Sequence, residues 1–91
     1  MEQRALITVV GIDRIGIIAG ITGSLAAHKV NILDIRQTIV GEFFTMILVA
    51  DLQQSAHSIQ ELQNRLDEVG QELGVKVTVQ SEELFRSMHR I

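Results

Sequence analysis

The chain has 91 residues, 46% of them apolar and 21% charged, a balance that excludes an intrinsically disordered polymer and fits one small globular domain. A net charge of −3, with no Trp or Tyr and no basic cluster, excludes the phosphate-neutralising and base-stacking features of direct nucleic-acid binders. The absence of cysteine excludes disulfides and thiolate sites, and no apolar run approaches the ~20 residues that cross a bilayer.

Ala5 to Val10 is a near-continuous run rich in Ile, Val and Thr, which suits a central strand. From Ile17 to His28 the apolar residues Ile17, Ile18, Ile21 and Leu25 recur at three- and four-residue steps, the period of a helix, with Lys29 near its end. Asn31 to Val40 and Phe43 to Asp51 are β-branched and aromatic stretches joined by Gly41 and Glu42, and so predict a hairpin. Ile59, Leu62, Leu66, Val69 and Leu73 form the stripe of a second helix, opened by a Ser58–Glu61 capping box and closed by Gly74. Val75 to Val79 then alternates as a half-exposed strand.

This β-α-β-β-α-β order predicts an α+β, ferredoxin-like sandwich: a four-stranded antiparallel sheet with both helices on one face. The second strand falls at an edge, apolar on both faces at Ile32, Leu33, Ile35, Ile39 and Val40, with no Pro to blunt it, and so invites pairing. Asp34 and Arg36 read as solvated edge charges. The domain is expected to occupy residues 1–81, and residues 82–91 a short C-terminal helix. There Ser81 can cap, Glu82 and Glu83 load the first turn, Arg86, His89 and Arg90 load the last, and Leu84, Phe85, Met88 and Ile91 form a stripe. A domain this small buries only about 60 to 65% of its unfolded surface, so a homodimer or higher homo-oligomer is expected.

The loop Gly11-Ile-Asp-Arg-Ile-Gly16 has the glycine spacing of a phosphate loop, but Ile17 and Ile18 stand where Lys and Ser/Thr are required. The dinucleotide fingerprint fails as well, because position 13 is Asp. What remains is a strand, a tight turn and a helix N-terminus, a place that favours a small anion such as a carboxylate or serves as a plain turn. Gly16, Gly20, Gly23 and Ala27 put minimal side chains along one helix face, which suits close packing or a ligand.

No catalytic constellation emerges. Ser24 and His28 are one helical turn apart with Asp34 nearby in sequence, but they read as a surface pair; the three histidines lack metal-ligand spacing, and no cofactor is implied. A cytoplasmic, non-enzymatic protein with no membrane partner is expected.

The segment GIDRIGIIAGITGSLAAHKVNILDIRQ resembles the amino-terminal half of ACT domains, whose pattern runs strand, D-R-x-G turn, helix, then N-I-x-D opening the second strand. The resemblance covers residues 4–81 and is closest to stand-alone bacterial ACT proteins and to the first ACT repeat of the glycine cleavage system repressor. It implies side-by-side dimers forming an eight-stranded sheet, with an amino acid bound between the first loop of one subunit and the second strand of the other. On this chain it implies Gly11, Asp13 and Gly16 on the loop side; Arg14 lies in the same loop, and the backbone N–H groups around Ile15 to Ile17 at the helix start can receive a carboxylate. Asn31 and Ile32 would stand on the strand side. Many ACT turns carry Pro just before the glycine; here Ile15 implies a less rigid loop. The implied role is a regulatory module that binds an amino acid or related carboxylate, the alternative being a protein-interaction subunit with no small ligand.

Overall fold

The computed structural model describes residues 3–83 and Arg86. Its elements are β1 (Arg4–Ile12), α1 (Ile17–Ala27), β2 (Asn31–Val40), β3 (Phe43–Asp51), α2 (Ile59–Leu73) and β4 (Val75–Ser81). The four strands form one antiparallel sheet in the order β2-β3-β1-β4, which places β2 at an edge and β1 inside, as the patterning predicts. β1 runs two residues further than its apolar stretch and α1 stops one residue earlier, at Ala27.

Alternation decides the faces. Ala5, Ile7 and Val9 of β1, Phe44, Met46, Leu48 and Ala50 of β3, and Val77 and Val79 of β4 are buried under the helices with Ile17, Ile21, Leu25, Leu62 and Leu66. Sixteen such apolar side chains, and no polar or charged one, make up the buried set among the described residues. Ile18 does not join them: it is 40% exposed, on the flank of α1.

The second helix begins where Ser58 Oγ accepts the Glu61 N–H at 3.1 Å and Glu61 Oε1 accepts the Ser58 N–H at 3.1 Å, a complete capping box. It ends at Gly74, φ 74°, a left-handed residue that glycine adopts without strain. Gly70 is buried for a different reason: a Cβ there would meet the Val75 carbonyl oxygen at 2.6 Å, so its absence lets α2 lie down on β4. Gly20 plays a similar part between the helices, since a Cβ would stand 2.7 Å from Leu73 Cδ1. Gly23, in the same stripe of small residues, faces open space.

The edge strand carries one irregularity. Pairing with β3 slips between Ile32 and Asp34, so Leu33 is a bulge. The slip matters because strand side chains alternate: Ile32 pairs with Ala50 on the helix side, and after the bulge Ile35 and Ile39 return to that side opposite Leu48 and Phe44. Yet Ile35 and Ile39 remain 40% and 52% exposed, because α1 touches β2 only at its fringe. The C-terminal helix expected over residues 82–91 lies mostly outside the described residues; Glu82, Glu83 and Arg86 are helical.

Candidate functional site

The first loop begins where β1 crowds β4. A Cβ on Gly11 would stand 2.7 Å from Val75 Cγ1 and 2.9 Å from the Gly74 carbonyl oxygen, so this glycine serves the approach of β1 to the α2–β4 turn. The Asp13 N–H donates to the Glu42 carbonyl at 2.7 Å, tying the loop to the hairpin turn. The Asp13 carboxylate is exposed and takes no hydrogen bond among the described residues.

Arg14 turns the other way. A Cβ on Gly74 would stand 3.2 Å from its Nη1, so the guanidinium lies over the C-terminal end of α2, where no basic residue of the helix itself offsets the carbonyl dipoles. Ile15 is 99% exposed at the loop tip. Gly16 is the N-cap of α1 at φ 95°, ψ −4°, and its carbonyl accepts the Gly20 N–H at 2.8 Å to start the helix.

The two helix starts are chemically opposite. That of α2 is sealed by its own side chains, whereas α1 has no side-chain cap and no acidic residue in its first turn. The first amides of α1, from Ile17 onward, keep their donors and the positive end of the dipole unneutralised. Space is open at Gly16, where an added Cβ would meet nothing within 4 Å.

The strand half of the candidate site lies elsewhere. Asn31 pairs with Asp51, which pairs in turn with Arg4 at the start of β1, while the loop leaves the far end of β1 after Ile12. Eight residue steps separate Arg4 from Ile12, about 26 Å at the usual rise. Within one chain Gly16 and Asn31 are therefore at opposite ends of the sheet. Asn31 shares a polar cleft of about 300 Å³ with Lys29, Asp51, Gln53 and Gln54. The Ile32 side chain packs against the core, which leaves only its backbone to a ligand.

Ser24, His28 and Asp34 do not assemble. His28 Nδ1 lies 2.7 Å from the Ser24 carbonyl oxygen rather than its hydroxyl, and Asp34 Oδ1 accepts the Ile35 N–H at 2.8 Å beside Arg36 Nε at 3.5 Å. His28 instead meets His57 edge to face, ring centroids 4.8 Å apart. Among the described residues no group of three metal-ligating side chains converges, and no helix is long and apolar enough to cross a membrane.

Two residues outside the candidate set also hold specific backbone positions. Gln63 reaches from α2 to the outer edge of β4, donating from Nε2 to the Val77 carbonyl at 2.8 Å and accepting the Val79 N–H at 2.7 Å. Its position in the helical pattern marks it only as polar. Lys29, at φ 59°, is the one described non-glycine residue in the left-handed region.

Residues 3–80 match the sequence profile of the ACT domain. A UPF0237 protein of Clostridium acetobutylicum is 50% identical over 89 residues, covering 98% of this chain and all of that one. A UPF0237 protein of Methanopyrus kandleri is 47% identical over 88 residues, covering 97% and 98%. Among solved structures, an ACT domain protein from Streptococcus pneumoniae superposes with a TM-score of 0.83 at 40% identity, covering 93% of this chain and 96% of that one. A chain assigned as a glycine cleavage system transcriptional repressor gives a TM-score of 0.75 at 25% identity; the match takes 89% of this chain but 46% of the other.

Proposed function

The chain belongs to the ACT domain family, and from that premise we propose that it is a regulatory, non-catalytic module of the cytoplasm that binds an α-amino acid or related small carboxylate between two copies of itself. The uncapped start of α1 takes the carboxylate through the amides around Ile15 to Ile17, with Asp13 beside it for the ammonium group. Asn31 and the Ile32 backbone come from the other copy.

The observation that carries this reading is the separation of the two halves. A loop and a strand start about 26 Å apart in one chain serve one small ligand only if a second chain supplies one of them. Antiparallel pairing of β2 with its twin about a two-fold axis does this, because it lays the Asn31 end of one strand beside the Val40 end of the other, and Val40 leads through Phe43 to Ile12 and the loop. The same pairing covers Ile35 and Ile39. It also covers Ile18, which sits two residues from Gly20 and so on nearly the opposite side of α1 from α2.

A second reading draws on Ile15. An isoleucine 99% exposed at the tip of a loop suits a protein contact, and a protein-interaction subunit needs no small ligand. Thermal melts against a panel of free amino acids separate the two. A ligand at a hundred times its dissociation constant stabilises the native state by about 2.7 kcal/mol, several degrees in a domain of this size. If no amino acid at millimolar concentration moves the melt or gives calorimetric heat, the protein-interaction reading takes its place.

A further inference from the structure

On the helix side of β2 stand Ile35, Gln37 and Ile39, opposite the buried Leu48, Met46 and Phe44 of β3. The helices stop short of this stripe, so all three residues are exposed. Gln37 is a polar residue between two isoleucines, and its side-chain amide makes no hydrogen bond among the described residues. The stripe reads the same in both directions about Gln37, a symmetry without use in one chain that a two-fold axis exploits.

The backbone has the same centre. The Leu33 bulge interrupts β2, and regular pairing with β3 runs from Asp34 to Val40, whose midpoint is Gln37. The Ile35 N–H points away from β3, where Asp34 Oδ1 accepts it at 2.8 Å; Gln37 and Ile39, at the alternate positions, therefore also turn their N–H and carbonyl groups to the open edge. Antiparallel strands set only like-facing residues opposite one another, so every two-fold register of β2 against itself centres on one residue.

Given the β2-paired dimer proposed for the ligand site, we infer that the two strands pair with Gln37 opposite Gln37, and that this amide is the positioning residue that fixes the register. Ile35 then stands opposite Ile39, and the bulge stays outside the ladder. The two Gln37 amides, on Cβ atoms about 5.5 Å apart, bond to each other across the axis. The Ile35 N–H exchanges Asp34 for the Ile39 carbonyl of the other copy.

Neighbouring registers lose these contacts. Centring on Arg36 sets Arg36 against Arg36 and Gln37 against Ile35, while centring on Thr38 sets Gln37 against Ile39 and shortens the ladder; both bury the amide without a partner. Centring on Ile35 brings Asp34 opposite Arg36, an exposed pair that the chain already makes internally at 3.5 Å, and drives the bulge into the ladder. A polar group inside an apolar seam selects one register at some cost in affinity.

The register also reaches the candidate site. Because the bulge sets Ile32 directly beside Asp34 in the ladder, Asn31 of one copy comes level with the Gly41–Glu42 turn of the other, to which the Asp13 N–H ties the first loop. A slip to the next register carries Asn31 two residues along, about 7 Å.

The chain has no cysteine, so engineered thiols report the register. With Gln37 at the centre, Arg36 stands opposite Thr38 as a closely spaced, non-hydrogen-bonded pair, the geometry that a disulfide spans. Arg36→Cys and Thr38→Cys chains, mixed under reducing conditions and oxidised at micromolar protein, are expected to give disulfide-linked heterodimers, and each variant alone little product. In a Gln37→Leu background this selectivity is expected to fall, with Arg36→Cys chains linking to one another. A wild-type chain that light scattering finds monomeric would remove the β2 dimer itself. Dimers in which either variant links to itself as readily as to the other, or dimers that never cross-link, would leave a dimer standing and overturn this register. Unchanged selectivity in Gln37→Leu would show that the amide does not fix it.

Discussion

The side-chain amide of Gln63 completes the hydrogen bonding of Val79 on the outer edge of β4. Its Oε1 accepts the Val79 N–H at 2.7 Å while its Nε2 donates to the Val77 carbonyl at 2.8 Å and to Asp67 Oδ1 at 2.8 Å. One amide thus imitates the peptide of a neighbouring strand and occupies the place where a foreign strand would pair. The sheet has two edges, and this contact closes one of them. On β2 the outward Ile35 N–H is taken by Asp34, and among the described residues no side chain covers the rest of that edge. The edge left open among the described residues is that of β2, the one through which we propose that two copies pair.

Gln63→Leu keeps the helix and removes the strand mimic. It is expected to leave the β4 backbone groups unpaired at a cost of about 1 to 3 kcal/mol and to produce association beyond the dimer, because both edges then accept strands. Light scattering across a concentration series checks this; a variant with the wild-type mass at every concentration would show that Gln63 does not guard the edge.

Gln37→Pro tests the other edge. Gln37 is two residues from Ile35, so its N–H points the same way, outward, and proline there spares the ladder with β3 while removing a donor from the open edge. The expected result is a folded monomer by light scattering at micromolar protein. A wild-type monomer, or a proline variant that dimerises like wild type, counts against pairing through β2.

The small residues of the helices separate packing from interface. Gly70→Ala is expected to destabilise by about 1 to 3 kcal/mol, since the added Cβ meets the Val75 backbone carbonyl at 2.6 Å and backbone yields poorly. Gly20→Ala should cost less, as its obstacle is the flexible end of Leu73. Gly23→Ala has open space and should raise the melting temperature through helix propensity, about 0.5 to 1 kcal/mol. Denaturant unfolding of the three variants gives the ranking; equal losses at all three would contradict it.

The capping box predicts a pH dependence. Hydrogen bonds from the Ser58 backbone and hydroxyl, and then the neighbouring His57, hold the Glu61 carboxyl below its ordinary value of 4.5. A carboxyl lowered in the folded state binds fewer protons there than in the unfolded chain. Its contribution is present above the ordinary carboxylate range and is lost as pH falls through the lowered value. Glu61→Gln should therefore flatten the acid limb of the stability curve below about pH 4.5 and leave its shape near neutrality unchanged. An acid limb identical to wild type would mean that the box does not couple to protonation.

Much of this molecule is legible in its sequence because local chemistry and tertiary packing agree. The stripe from Ile59 to Leu73, the Ser58–Glu61 box and Gly74 mark α2 to the residue, and Gly41, at φ 61°, marks the hairpin. Of the glycines in the small-residue stripe of α1, only Gly20 meets a close neighbour, Leu73; the close approaches at Gly11, to Val75 across the β1–β4 ladder, and at Gly70, to the Val75 carbonyl five residues on, have no mark in the sequence. The Leu33 bulge has no signal of its own, since the run around it is apolar on every side. For the candidate site, the loop and the strand were each visible as motifs, while their placement at opposite ends of the sheet depends on pairing between strands far apart in sequence.

The central claim is that one ligand site is shared between two chains, and mixing two defective variants tests it. Ile15→Asp puts a carboxylate on a fully exposed side chain beside the open amides of α1, where it competes with a ligand carboxylate; Asn31→Ala removes the polar group of the strand half. Each homodimer should give no calorimetric heat with the amino acid that stabilises the wild type most. In a mixed two-fold dimer both defects fall on one site and the other is intact, so free exchange of subunits should restore about a quarter of the wild-type sites. Recovery of heat on mixing is the predicted result. A mixture as silent as either variant, although mass analysis shows mixed dimers, would contradict a site built from two chains.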